Sequence, residues 1–298
     1  MVLCCPCTWA TSKGDGYIPS CIARVCFAKL FGPNFDPEAI VSPKTDEKKG
    51  KILVIGTDKS KYRMENGKEF ITGHNISEMF VPILHMECAG YEFEFATATG
   101  NAFALEEWSW IGPKYHKTEA ALRHLMGRVP GYKNPIQTNE ALPKFVAGEY
   151  VGVFFPGGHG TMIELGNPPD GGATSKILAH AHAKQITTMT LCHGPQSLLA
   201  APKGTYDGYK VAGYPDKDDL GANVMSGYLP GKPPGKMMRA GLIEKFPGMT
   251  FINKEANADV SIDRELISGA GPLAAHNVGL ECVKALARAA PITVEMER

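Results

Sequence analysis

The chain has 298 residues, of which 44% are hydrophobic and 21% charged. That is enough to bury a full core in one large α/β domain or two smaller ones. Lys plus Arg equals Asp plus Glu at 31 each, with a pI near 7.1, so neither a nucleic-acid footprint nor an anionic membrane partner is expected. No apolar run is long enough for a transmembrane helix.

Residues 1–50 carry scattered glycines and prolines and end in Lys44-Thr-Asp-Glu-Lys-Lys-Gly50, which predicts an extension and a polar linker. The start, Met-Val-Leu-Cys-Cys-Pro-Cys, has no basic segment and too short an apolar run for a secretory signal. Eight cysteines crowd the N-terminus or scatter, with no disulfide-like spacing. Free thiols in a reducing cytoplasm are expected. Cys4, Cys5 and Cys7 form a weak metal or palmitate pattern without supporting partners.

From Lys51 a single domain is expected to run to Arg298. Lys51–Gly56 reads as an apolar strand, and Asn75–Gly90 as a helix with Met79, Phe80, Ile83, Leu84 and Met86 at helical spacing. Tyr91–Thr97 alternates as a strand. Helices are predicted over Glu119–Arg128, Asn139–Ala147 and Ser175–Lys184, and a strand buried on both faces over Tyr150–Phe155. The strand Ile186–Leu191 runs into Cys192-His193-Gly194-Pro195, where a helix should begin. Phe251-Ile252, Val260–Ile262 and Glu265–Gly269 are short strands, and Pro272–Ala290 the closing helix. Alternation of strands and helices implies a mostly parallel central sheet covered on both faces. Sites in such sheets form at the carboxyl ends of the strands.

Three of those ends bear chemistry. Cys192 at a strand–turn–helix junction should sit near backbone N–H groups and a helix dipole, which favour thiolate. Gly157-Gly158-His159-Gly160 lacks the Lys-Ser/Thr of a phosphate loop and suits a turn that aims N–H donors at a neighbouring oxyanion. Glu78, in the first turn after the first strand, either caps the helix dipole or meets the Cys192 sulfur with a raised pKa. Asp216, Asp218 and Asp219 follow Tyr214-Pro215, and one of them could orient His193 in a Cys–His–Asp triad. At an elbow adjacent side chains diverge, so His193 should point to Asp219 and Glu78 should be the nearer proton partner of the sulfur. His85, Glu87, Glu92, His116 and His124 are scattered, and spacing alone makes solvated polar groups the simpler reading of them. Trp108, Trp110 and Tyr91 suit packing. His180 and His182 sit two apart on a helix and face different sides.

Lys51–Ile55, Thr72–Glu78, Phe154–Gly160, Leu191–Pro195, Tyr214–Asp216 and Gly227–Gly231 together resemble the PfpI superfamily, in its heat-shock chaperone and glutathione-independent glyoxalase branch. The resemblance spans roughly residues 50–290. It implies a three-layer sandwich like that of class I glutamine amidotransferases (flavodoxin-like), and conversion of methylglyoxal to D-lactate (a lyase activity) with no required cofactor. It implies Cys192 as nucleophile with His193 beside it, Glu78 on the sulfur, Asp219 completing the triad with Asp216 as runner-up, and an oxyanion hole from the N–H groups of Gly158 and His193. Some members bind metal through His, Glu and His, where this chain has Glu87, Glu92 and His124. Asn75-Ile76 stand where the family has His-Pro. The substrate would be a small 2-oxoaldehyde and the assembly a homodimer. Alternative functions are a stress-inducible holdase, a protein deglycase, or a cysteine peptidase or amidase.

Overall fold

A computed structural model describes residues 11–20, 23–24, 47–110 and 116–288. The strands in chain order are β1 (Thr11–Lys13), β2 (Gly16–Ile18), β3 (Gly50–Gly56), β4 (Lys61–Arg63), β5 (Glu69–Ile71), β6 (Tyr91–Thr97), β7 (Ile136–Gln137), β8 (Tyr150–Phe155), β9 (Thr187–Leu191), β10 (Lys210–Val211), β11 (Thr250–Phe251), β12 (Val260–Asp263) and β13 (Leu266–Gly269). The longer helices are α1 (Ile76–Cys88), α2 (His116–Arg128), α3 (Thr138–Val146), α4 (Ala173–Lys184), α5 (Met238–Lys245) and α6 (Ala275–Arg288).

Seven strands form the central sheet in the order β12-β13-β9-β8-β3-β6-β7. Every pairing is parallel except β12 with β13. The middle strands carry continuous apolar runs because both faces are covered. Ile52, Leu53, Val54 and Ile55 of β3 are all buried, as are Val153, Phe154 and Phe155 of β8. The connection β3–α1–β6 steps one way along the sheet and β8–α4–β9 the other. Right-handed crossovers then place α1 and α4 on opposite faces. Each finds a helical partner: α1 packs on α6, and α4 on α3. Strand order reverses between β3 and β8, and that is where a crevice opens.

The expected strands at Tyr91–Thr97 and Tyr150–Phe155 match to the residue, and the helices agree within a few residues. Two expectations change. The segment after Cys192 is a 3-10 helix, Gly194–Ala200, where an α-helix was expected. The closing helix begins at Ala275, after a 3-10 turn over Pro272–Ala274. A second sheet escaped the sequence reading, of order β1-β2-β5-β4. It draws Thr11–Ile18 into the domain through the parallel pairing of Tyr17 with Phe70. Those residues lie against the domain, as an extension that covers part of it would. Cys4, Cys5 and Cys7 lie outside the described residues. Cys192 and Cys282 are free thiols. No helix among the described residues is long and apolar enough to cross a membrane.

Truncating Leu53 should cost about 2–5 kcal/mol, because a fully buried side chain in the middle strand leaves a cavity the sheet cannot close. Urea unfolding of Leu53→Ala against the parent protein measures this.

Candidate active site

The β9 strand ends at Leu191, and Cys192 turns the chain with φ +59°, a left-handed conformation for a residue with a side chain. The elbow is clamped on both sides. Cys192 N–H donates to Gly269 O at 2.9 Å, and Tyr214 N–H donates to Cys192 O at 2.8 Å. This strained turn lifts the thiol off the sheet end, as a nucleophile elbow does for serine.

Glu78 reaches the same place from α1. Asn75 caps that helix by accepting from the N–H groups of Ser77 and Glu78, which fixes Glu78 in the first turn. The residue standing in place of the family's His-Pro thus has a definite task. His74 accepts from Thr57 N–H at Nε2 and lies 3.1 Å from Gly157 O through Nδ1. Burial holds this imidazole down to about 4, so it is neutral and its Nδ1 carries the proton. Asn75 N–H also donates to Gly157 O, and Gly160 N–H donates to Gly73 O. The β5–α1 loop and the loop after β8 are thereby stitched together.

Only glycine fits at the seam. A Cβ on Gly157 would lie 2.1 Å from Glu78 Oε2 and 2.9 Å from Cys192 Cβ. Gly158 has φ +107°, and a Cβ there would meet Gly73 O at 2.4 Å. The Gly158 N–H, a donor of the expected oxyanion hole, favours the ionised form of the Glu78 carboxyl. His193, the other expected donor, follows the elbow and begins the 3-10 helix.

Glu78 is 1% exposed and its Oε2 has no hydrogen-bond partner. Burial is the main cause that pushes its carboxyl up to about 8, with Glu106 adding to the shift and the Cys192 thiol and Gly158 N–H opposing it. The thiolate expected from the helix dipole is overturned. Burial and the Glu78 carboxyl push the Cys192 thiol well above its ordinary value. The dipole argument failed for two reasons: only a 3-10 turn follows Cys192, and the sulfur is 3% exposed beside an acid.

His193 stands where the triad requires. Its Nε2 is 2.7 Å from Asp219 Oδ2, and its Nδ1 is 3.3 Å from Cys192 Sγ. The adjacent side chains therefore do not diverge as expected, and His193 contacts the sulfur as well as Asp219. Tyr214 stacks on the imidazole at 4.6 Å between ring centroids. The choice between aspartates is settled by what Asp216 does. Its two oxygens accept the N–H groups of Arg239 and Ala240 at the start of α5, so it serves as a helix cap. Asp219 is buried, accepts from Asn223 Nδ2 at 2.7 Å, and is held well below the usual carboxylate range by His193 and His159 against the opposing effect of burial.

Two further residues enter the site that the sequence did not single out. His159 Nε2 lies 2.9 Å from Asp219 Oδ1. Glu106, 1% exposed, accepts from Thr72 Oγ1 and from His159 N–H. The Gly-Gly-His-Gly motif pointed at the first, though its imidazole was passed over for its glycines. Glu106 lies in an irregular loop and gave no signal. Phe70 and Tyr228 pack on the His159 ring and close the site from above.

The metal-site positions do not assemble. Glu87 is forked by Arg128 at 2.8 and 2.9 Å, Glu92 pairs with Lys48 at 2.7 Å, and the ligand atoms of Glu87, Glu92 and His124 do not converge. An arginine already supplies the positive charge, and these three residues do not fit a metal ion. His182, another scattered histidine, pairs with Glu265 and Tyr209 away from the elbow.

No family model matches the chain. Individual proteins do. The protein/nucleic acid deglycase HchA of Pseudomonas aeruginosa (strain UCBPP-PA14) is 36% identical over 247 residues, covering 80% of this chain and 81% of that protein. HchA of Escherichia coli (strain 55989 / EAEC) is 33% identical over 271 residues, covering 90% and 91%. The chain belongs to the HchA family. The resemblance to the PfpI superfamily stands with it. The crystal structure of glyoxalase III from Candida albicans superimposes with a TM-score of 0.60 at 22% identity, covering 80% of this chain and 97% of that one, and so shares the fold. The relatives' name includes nucleic acid among their substrates, which the neutral charge balance did not foresee.

Two outcomes follow from the electrostatics. Glu78 keeps its proton in the folded chain after the unfolded chain has lost it, so stability should fall as pH rises from 4.5 through about 8. Glu78→Gln should flatten that slope, read by urea unfolding at about pH 5 and about pH 8. Glu87→Gln should leave the metal content of the purified protein unchanged by elemental analysis, and cost at most about 1 kcal/mol through loss of a partly exposed ion pair.

Proposed function

We propose that this chain converts methylglyoxal to lactate without glutathione. The observation that carries the reading is Glu78: a buried carboxyl with an unpartnered oxygen, placed beside the Cys192 sulfur. An orphaned buried oxygen costs stability unless a reacting group completes it. A proton shuttle between two adjacent carbons is such a task.

The thiol proton of Cys192 passes to His193 Nδ1, and Sγ bonds to the aldehyde carbon. The carbonyl oxygen takes the proton that Glu78 holds at rest, giving a hemithioacetal and leaving Glu78 ionised. Ionised Glu78 removes the hydrogen from that first carbon and returns it to the second, while the hydroxyl proton of the first carbon passes through His193 to the second oxygen. The first carbon is thereby oxidised to a thioester and the second reduced to an alcohol, so no external oxidant or reductant is consumed. Water cleaves the thioester, releasing lactate and the thiol. Each proton acceptor is drawn from the residues named, and the step needs neither nicotinamide nor flavin.

Burial favours a small free aldehyde over a macromolecule. Cys192, His159, His193 and Asp219 are each no more than 3% exposed. This gives a physical reason to prefer scavenging of free 2-oxoaldehyde to direct deglycation, the activity in the relatives' name. The free thiol of Cys282 supports a cytoplasmic setting. The homodimer belongs to the same proposal and rests on the family alone.

Lactate release from methylglyoxal in glutathione-free buffer tests the reading. Cys192→Ala should abolish it, and Glu78→Gln should lower it by about 100-fold or more. Turnover by Cys192→Ala at the parent rate would sink the proposal. Amine release from a glycated peptide at a rate matching aldehyde consumption would favour the deglycase. Aggregation suppression that survives in Cys192→Ala would mark a separate holdase activity.

A further inference from the structure

Asp219 holds two imidazoles, and the chemistry above uses one. His193 Nε2 faces Oδ2 at 2.7 Å and His159 Nε2 faces Oδ1 at 2.9 Å. The ring centroids are 4.2 Å apart. Two imidazolium ions at that separation, away from water, repel strongly. At rest the pair therefore carries no more than one positive charge, and which ring bears it is decided by what lies behind each. Behind His159 is a second carboxylate, with Glu106 Oε1 3.9 Å from Nδ1. Behind His193 is the Cys192 thiol at 3.3 Å.

We propose that His159 is a positioning residue that takes the proton of the imidazole pair and so keeps His193 neutral, with Nε2–H donated to Asp219 and a bare Nδ1 turned to the thiol. An imidazolium at 193 would have no lone pair with which to accept the thiol proton. The inference deepens the reading of Cys192 as nucleophile and rests on it for its purpose.

The surrounding charges agree. Asp219 and Glu106 face His159 and raise it against burial, which alone would lower it, and Glu78 adds to them only when ionised. Burial lowers His193, and the His159 charge adds to that, against the upward pull of Asp219 and the more distant Asp216. The remaining titratable neighbours, Tyr214 and Tyr228, are held neutral because burial raises both well above their ordinary value.

Carbon-13 labelling of the histidine rings, followed by NMR titration of the full chain, reads each imidazole without turnover. In the parent protein His159 should titrate at higher pH than His193. In His159→Gln the His193 midpoint should rise by about one pH unit, because Asp219 then acts on it alone. The acid limb of lactate formation should move up by the same amount. Glu106→Gln, which keeps an acceptor for Thr72, should lower the His159 midpoint and covers the case in which His159→Gln does not fold. His193 titrating above His159, or a His193 midpoint unmoved in His159→Gln, would overturn the proposal. Failure of the glyoxalase reading would leave these spectra as they are, so the two stand or fall separately.

Discussion

Three carboxylates, two imidazoles and a thiol share one nearly waterless space, and that crowding governs the site. Each charge must be answered from within the group, since bulk solvent answers none of them. Asp219 is ionised because two histidines and Asn223 converge on it. Glu78 is protonated because burial outweighs the opposing pull of the Cys192 thiol, His159 and the Gly158 N–H. Cys192 stays a thiol because burial disfavours the thiolate, with the Glu78 carboxyl adding to the effect. The proton inventory is thus a property of the enclosure and not of any residue alone.

The enclosure is built by parts of the chain that have no chemistry of their own. The reversal of strand order between β3 and β8 opens the crevice. Glycines 157 and 158 let two loops and a helix start approach within contact distance. The small sheet with β5 at its centre supplies Phe70, and Tyr228 closes beside it. Such a lining excludes water, which strengthens every interaction inside it.

Much of this was legible in the sequence, because it depends on local pattern. The apolar runs at Ile52–Ile55 and Val153–Phe155 marked the middle of the sheet, and the break at Cys192 marked the elbow. Glu78 stood out by its place in the first helical turn, while Asp219 was separated from Asp216 and Asp218 only by the family resemblance. What stayed hidden depends on contacts between distant segments. Glu106 and His159 are 53 residues apart, and no spacing rule connects them. The sheet of three-residue strands is too short for any periodicity to show. The state of the thiol was misjudged because a sequence displays neighbours along the chain and not the loss of solvent around them.

The left-handed turn at Cys192 has one more consequence. A side chain in that conformation costs about 1 kcal/mol or more that glycine would not. A chain shaped only for thermal endurance would place glycine at the elbow and relax. Here the backbone is kept under tension at the one atom that must form and break a bond. The fold therefore gives up some of its resilience at Cys192, and the sulfur gains its outlook over the crevice from that concession.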